Sequence, residues 1–247
     1  MTDGQAGSKG AALIVGAGDA TGGAITKRFA QGGYAVVPIR RHGDQLEELA
    51  ARVRDAGGVA HPMGVDARDE DQMVALFKKI ETDIAPLEVV VFNIGANVNF
   101  PIMETTARVY RKVWEMACFA GFLTGREAAK HMSRRGRGTI IFTGATASVR
   151  GGAGFSAFAS AKHGLRALAQ SMARELGPKG LHVAHSIIDG AIDTAWIAEN
   201  FPQAYARKDQ DGILNPDHIA EAYWQLHVQP RDAWTHELDL RPWMENF

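Results

Sequence analysis

The stretch "VGAGDATGGA" (15–24) carries three glycines, Gly16, Gly18 and Gly22, with Asp19, Ala20 and Thr21 between them. Glycines at this spacing permit a tight turn, a close backbone approach and tight packing of a following helix. The N–H groups at that helix start can then hold a pyrophosphate. The same residues also suit an ordinary glycine turn. Their place, after an apolar run and at the opening of a helical pattern, points to nucleotide binding. A second candidate is "VVPIRRHGD", where Arg40 and Arg41 form either a fork for a phosphate or two solvated surface charges. Lys162 falls within "GGAGFSAFASAKHGL" (151–165). Thr143, Thr146, Ser148 and Ser156 can hydrogen-bond a carbonyl, but hydroxyls are poor acids at neutral pH. His163 is turned about 100° round the helix from Lys162 and reads as structural. His185, inside an apolar run, reads as a hydrogen-bonded core histidine, and Cys118, with no base in sight, as a small core residue. No His, Cys, Asp or Glu set has metal-ligand spacing, so no metal site is expected.

Chemistry of this kind needs elements to aim it, and the chain alternates regularly. Apolar runs at 10–17, 34–40, 59–66, 87–95, 138–145, 181–190 and 233–240 read as strands, that at 59–66 the weakest. Helical patterns fall between them, at 20–33, 43–58, 69–83, a long region ending near Met132, the segment around Lys162, and 215–228. The last has Asn215 as cap and Pro216 at its first position. The helix at 69–83 starts acidic and ends basic, matching its dipole. Strand–helix alternation predicts a doubly wound, Rossmann-type α/β fold: seven parallel strands with helices on both faces. Ligands of such sheets bind beyond the carboxyl ends of the strands.

Bulk properties set the limits. A chain of 247 residues suits one α/β domain, expected over 10–247, with 1–9 a disordered tail. Lys plus Arg number 27 against 28 Asp plus Glu, a net charge of −1, so nothing predicts attraction to nucleic acid or an anionic membrane. The single cysteine excludes an internal disulfide and fits a reducing, cytoplasmic setting. No signal-like apolar run opens the chain, and no stretch reaches the roughly 18 apolar residues of a membrane span.

The motifs "VGAGDATGGAITKRFA", "VDARDED", "VVVFNIGA", "GGAGFSAFASAKHGL" and "HVAHSIIDGAIDT" together resemble the ordered motifs of classical short-chain dehydrogenases/reductases, over about residues 10–240. The resemblance implies a nicotinamide dinucleotide cofactor and a homodimer or homotetramer paired through the helices at 102–133 and 155–177. It assigns the glycine loop to the pyrophosphate, Asp66 and Ala67 to the adenine, and Asn93 and Gly95 to the strand end beside it. Asp189, Gly190, Ile192 and Thr194 match the segment at the nicotinamide, with Asp189 where the family has proline; it either bears charge near the substrate or caps the turn. Arg40 and Arg41 stand where relatives that prefer NAD(H) commonly place an acid, which favours NADP(H). Asp19 argues the other way, so NAD(H) stays open. Ala20 adds a methyl group where the family has glycine, with Gly18 close by to relieve it.

The resemblance also implies a catalytic tyrosine four residues before Lys162, a serine thirteen before that, and an asparagine on the long helix. Those positions hold Phe158, Ala145 and Cys118. Phe155 and Ala147 occupy two displaced tyrosine positions used by some relatives. Thr146, beside the missing serine, and Tyr205, in the segment over the expected pocket, are the remaining substitutes. Trp196, Phe201 and Tyr205 would form an apolar lid, favouring a hydrophobic small-molecule substrate. The expectation is an oxidoreductase with non-standard proton delivery, acting on an activated C=C, C=N or C=O bond. A cofactor-binding pseudoenzyme or scaffold is the alternative, and a non-redox lyase on the same fold a third reading.

Overall fold

The computed structural model describes residues 8–245; residues 1–7 of the expected tail and the last two residues lie outside them. Strands β1 (Ala11–Val15), β2 (Ala35–Arg40), β3 (Val59–Ala60), β4 (Met63–Gly64), β5 (Leu87–Phe92), β6 (Gly138–Thr143), β7 (Leu181–Ile188) and β8 (Glu237–Leu240) form one sheet. Its order is β3-β2-β1-β5-β6-β7-β8, with β4 also against β2, and the strand pairings are parallel. The expected run at 59–66 is thus two short pieces. Pro62 stands between them and has no N–H to give the ladder.

Helices α1 (Thr21–Gln31), α2 (Glu47–Asp55) and α9 (Pro216–His227) cover one face. Helices α3 (Glu70–Lys79), α5 (Ala120–Met132) and α6 (Ser156–Leu176) cover the other. The central strands are buried throughout, as their unbroken apolar runs require. Between faces of this kind the backbone has no access to water, so each strand's hydrogen bonds go to its neighbours. Helix α4 (Ala107–Trp114) runs into α5 through a π turn, Glu115–Phe119, which contains Cys118. Two short helices, α7 (Ala195–Asn200) and α8 (Pro202–Tyr205), follow β7.

Helix α9 packs on α1 through aromatics: Trp224 lies edge-on to Phe29 at 5.6 Å, and Arg28 sits 4.2 Å over the Trp224 ring. At its end, His227 is bonded on both ring nitrogens, Nε2 with the Tyr34 hydroxyl at 2.6 Å and Nδ1 with Thr139 Oγ1 at 2.9 Å. Among the described residues no helix is long and apolar enough to cross a membrane. The strand order reverses between β1 and β5, and there the loops after the two strands part to leave a crevice.

Candidate active site

The glycine loop leaves β1 and enters α1 at this crevice. A Cβ on Gly22 would lie 2.6 Å from the Gly16 carbonyl oxygen and 2.7 Å from Ala17 Cα, so only glycine lets the helix approach the strand end. Gly16 has φ +88° and its carbonyl accepts from Asn93 Nδ2 at 3.2 Å. Gly18 and Gly95 have open space where a side chain would be. Gly16, Gly18, Asp19, Ala20, Thr21 and Gly22 line a cleft of about 670 Å³, with Asn93 and Gly95 opposite. The expected phosphate cradle therefore exists as a shape: bare backbone facing open volume. Ala96, just beyond Gly95, has φ +83°, a conformation a non-glycine residue adopts only at a cost.

A side pocket of about 280 Å³ continues from the loop between β2 and the end of β4. Arg40, Arg41, Asp66 and Ala67 line it as expected, and Arg68 joins them. Arg68 forks onto Asp66, its Nε 2.9 Å from Oδ1 and Nη2 2.5 Å from Oδ2. That hydrogen bonding holds the Asp66 carboxyl below its ordinary range, with Arg41 adding to the effect. The carboxylate expected to face an adenine is therefore already engaged. The pocket as a whole presents three guanidinium groups.

Lys162, on the buried face of α6, is 2% exposed. Its Nζ donates to the carbonyls of Ile94 at 3.0 Å and Thr143 at 2.8 Å, tying the loops after β5 and β6 together. Burial pushes its pKa down to about 7. An ammonium has three donors, so one remains for the cleft. Phe158 lies one helical turn away, its ring centroid 5.8 Å from Nζ, and lines the cleft with Ala145, Ala147 and Phe155. Cys118 is in the apolar cluster behind them, its thiol pKa raised by burial.

Of the other candidates, the Ser156 hydroxyl is buried without a hydrogen-bond partner, and those that follow are committed elsewhere. Tyr223 donates to Thr143 Oγ1 at 2.9 Å, and Ser148 Oγ accepts from the Ala145 N–H at 3.1 Å. His163 Nδ1 pairs with the Ala159 carbonyl, and His185 Nδ1 with Glu237 at 3.1 Å. Thr194 lines the cleft but its hydroxyl caps α7, accepting from Ile197 N. Tyr205 is not brought to the cleft lining; its hydroxyl accepts from Lys208 on the surface at 3.3 Å. Trp196 and Phe201 pack against each other with tilted rings, centroids 5.3 Å apart, 57% and 51% exposed, likewise outside the lining.

Two residues join that were expected only separately. Asp189 is 4% exposed, and its Oδ1 accepts from the hydroxyl of Thr146, which lines the cleft. Gly190 and Ile192 continue the wall. Asn97 and Arg150 also line the cleft and were not singled out in the sequence; both sit in loops whose approach only the fold creates. Among the described residues no group of three His, Cys, Asp or Glu could hold a metal ion.

Residues 10–204 match the family model described as short chain dehydrogenase. The chain is 30% identical over 224 residues to cis-4-hydroxycyclohexanecarboxylate dehydrogenase of Sinomonas cyclohexanicum, covering 89% of each. Its structure is similar to that of a short-chain dehydrogenase from Rhodopseudomonas palustris, with TM-score 0.82 and 51% identity over 94% of this chain and 98% of that one. It is also similar to an alcohol dehydrogenase from the archaeon Thermococcus sibiricus complexed with 5-hydroxy-NADP. That match has TM-score 0.84 and 25% identity over 96% of this chain and 98% of that one.

Proposed function

The chain belongs to the short-chain dehydrogenase family, and from that premise we propose that it is an NADP(H)-dependent oxidoreductase acting on a small molecule without a catalytic tyrosine. The observation that carries this reading is the continuity of one crevice. The bare glycine cradle and the buried Lys162 line one cleft, and the three-arginine pocket adjoins it across Gly16, Gly18, Asn93, Ile94 and Gly95, which line both.

When bound, a nicotinamide dinucleotide supplies the hydride donor or acceptor. The chain's residues would do the rest. The α1 start and the glycine loop would hold the pyrophosphate. Arg40 and Arg41 would neutralise and fork onto a 2′-phosphate, a task for which guanidinium geometry is suited. The spare Nζ donor of Lys162 would hold a ribose hydroxyl. Ile192 and Thr194 would flank the nicotinamide. The apolar floor of Ala145, Ala147, Phe155 and Phe158 excludes water and favours a hydrophobic substrate body. The Thermococcus relative's complex with an NADP derivative supports the phosphate form. The Sinomonas relative's name points to a cyclic secondary alcohol as the kind of compound to try. We also propose that the protein assembles as a homodimer or homotetramer.

NADPH should bind at least about tenfold more tightly than NADH, as one lost charge-assisted contact of this kind implies. Arg41→Ala should remove most of the difference. Calorimetric titration of both nucleotides decides it, and equal affinities in the wild-type protein would sink the NADP(H) assignment. Phe158 and Ala145, which bring no ionisable proton to the expected acid position, favour a second reading, a cofactor-binding protein without turnover. It predicts NADPH binding with no oxidation of the nucleotide by ketones, enones or imines.

A further inference from the structure

The cleft beyond the glycine loop is walled by Ala145, Ala147, Phe155 and Phe158, with Thr146 among them. Thr146 stands among Ala145, Ala147, Phe158 and Ile188, and its Oγ1 donates to Asp189 Oδ1 behind it. Two guanidinium groups face that carboxylate, Arg150 Nη2 at 4.0 Å from Oδ1 and Arg241 Nη2 at 3.6 Å from Oδ2. The side chain of Asp189 is 6% exposed and that of Arg150 is 54% exposed, so the carboxylate meets the cleft through Thr146 and solvent on the Arg150 side. Burying a carboxylate is costly unless it is bonded and paired; here the Thr146 hydroxyl bonds it, Arg150 adds a longer ion pair, and Arg241, itself hydrogen-bonded to Asp239, adds another.

We propose that Thr146 and Asp189 form the proton relay of this enzyme, Thr146 touching the substrate oxygen and Asp189 acting through it. The inference rests on the oxidoreductase reading above. A hydroxyl that gives its own hydrogen to a carboxylate turns its lone pairs outward. Its matching partner is a donor, and the substrate group that fits is an alcohol O–H. In oxidation, the alcohol proton passes to Thr146 Oγ1 while the Thr146 proton passes to Asp189 Oδ1. The electron pair of the broken O–H bond stays on the substrate oxygen and forms the C=O bond. The carbon's hydrogen leaves with its own pair to the oxidised nicotinamide. The proton on Asp189 is then lost to water. Reduction runs the same transfers backward, so the carbonyl oxygen receives its proton from Thr146. The substrate class is therefore a secondary alcohol or the matching ketone, seated with its oxygen at Thr146.

The competing explanation is structural: the bond merely ties the loop after β6 to the end of β7. Asp189→Asn separates the two, because an amide oxygen still accepts the Thr146 hydrogen bond but cannot take its proton. Wild type, Asp189→Asn, Thr146→Val and Thr146→Ser would be compared for thermal midpoint, NADP(H) affinity and turnover of cyclic secondary alcohols and ketones, from about pH 5 to 10. A relay predicts that Asp189→Asn, even where the loss of two ion pairs lowers its midpoint, keeps its nucleotide affinity within about twofold. It should lose about 10²-fold or more in kcat, the size of a general acid–base contribution. Thr146→Val should lose a similar factor, and Thr146→Ser should recover at least about tenfold of that loss. A wild-type profile in Asp189→Asn overturns the relay and leaves the oxidoreductase reading standing. Nucleotide binding without turnover on any compound also overturns the relay, leaving cofactor binding. Failure to bind either nucleotide overturns the proposed function and the relay together.

Discussion

Phe158 is the residue on which the chemistry turns. It is 7% exposed, packed in the cleft floor, one turn from Lys162. A tyrosine there would place a phenol beside a cation that favours its ionised form. Phe158→Tyr with Ala145→Ser should raise reduction of a simple ketone at least about tenfold, through general acid catalysis that does not depend on Asp189. The same pair in an Asp189→Asn background should restore turnover, and NADPH affinity should stay within about twofold throughout. Steady-state kinetics of the four proteins tests this; no gain in either background means that position 158 no longer reaches the substrate oxygen. The place of Gly16, Gly18 and Gly22 at the cleft was legible because their spacing is local to one turn, whereas Arg40, Arg41 and Lys162 stood out through the family resemblance. The partnership of Thr146 with Asp189 was not, because 43 residues separate them and only the β6–β7 pairing brings them together. Arg68 was missed for a different reason. Its charge reads as an ordinary surface arginine until its bond to Asp66 is seen.

At the scale of elements, the β1–α1 junction makes a prediction with a built-in control. Gly22→Ala would drive a methyl group into the Gly16 carbonyl and Ala17 Cα, both backbone, which cannot swing aside. It should cost about 1–3 kcal/mol, as overpacking does, and abolish nucleotide binding at micromolar concentrations. Gly18→Ala meets nothing within 4 Å, so its thermal midpoint should match wild type while nucleotide affinity falls, because the methyl group enters the cleft. Melting curves and titrations of the two variants read out both effects. If both variants melt alike, the close packing at Gly22 is not what holds the loop. The order of strands and helices followed from unbroken apolar runs alternating with amphipathic ones. What did not follow were the breaks: Pro62 dividing the third run, and the π turns at Ile80–Ile84 and Glu115–Phe119. A π turn depends on which carbonyl a given N–H meets, a choice that hydrophobic periodicity does not encode.

For the whole molecule, the proposed assembly draws on surface left apolar. Tyr110, Trp114 and Phe122 on α4 and α5 are each about two-fifths exposed, and Trp114, Phe119 and Phe122 stack in a row. A dimer or tetramer should appear by light scattering at micromolar concentration, and Trp114→Glu with Phe122→Glu should yield monomers. A monomeric wild-type mass would refute the assembly. The seat of His227 has a separate consequence for the chain as a whole. Burial of the ring, with the charges of His182 and Lys9 adding to it, pushes its pKa from 6.5 down to about 4. Between those values the unfolded chain takes up a proton at this ring that the native one refuses. The proton is in that window a ligand of the unfolded state alone. The stability contributed is complete above pH 6.5 and is lost as pH falls towards 4. His185, pushed to about 4 by burial, adds a second such proton. The melting temperature should therefore slope downward below neutrality, and His227→Asn should flatten the slope by the share of one proton. Mild acidification should loosen the α9–α1 seam at its His227 end, where the ring holds Tyr34 and Thr139.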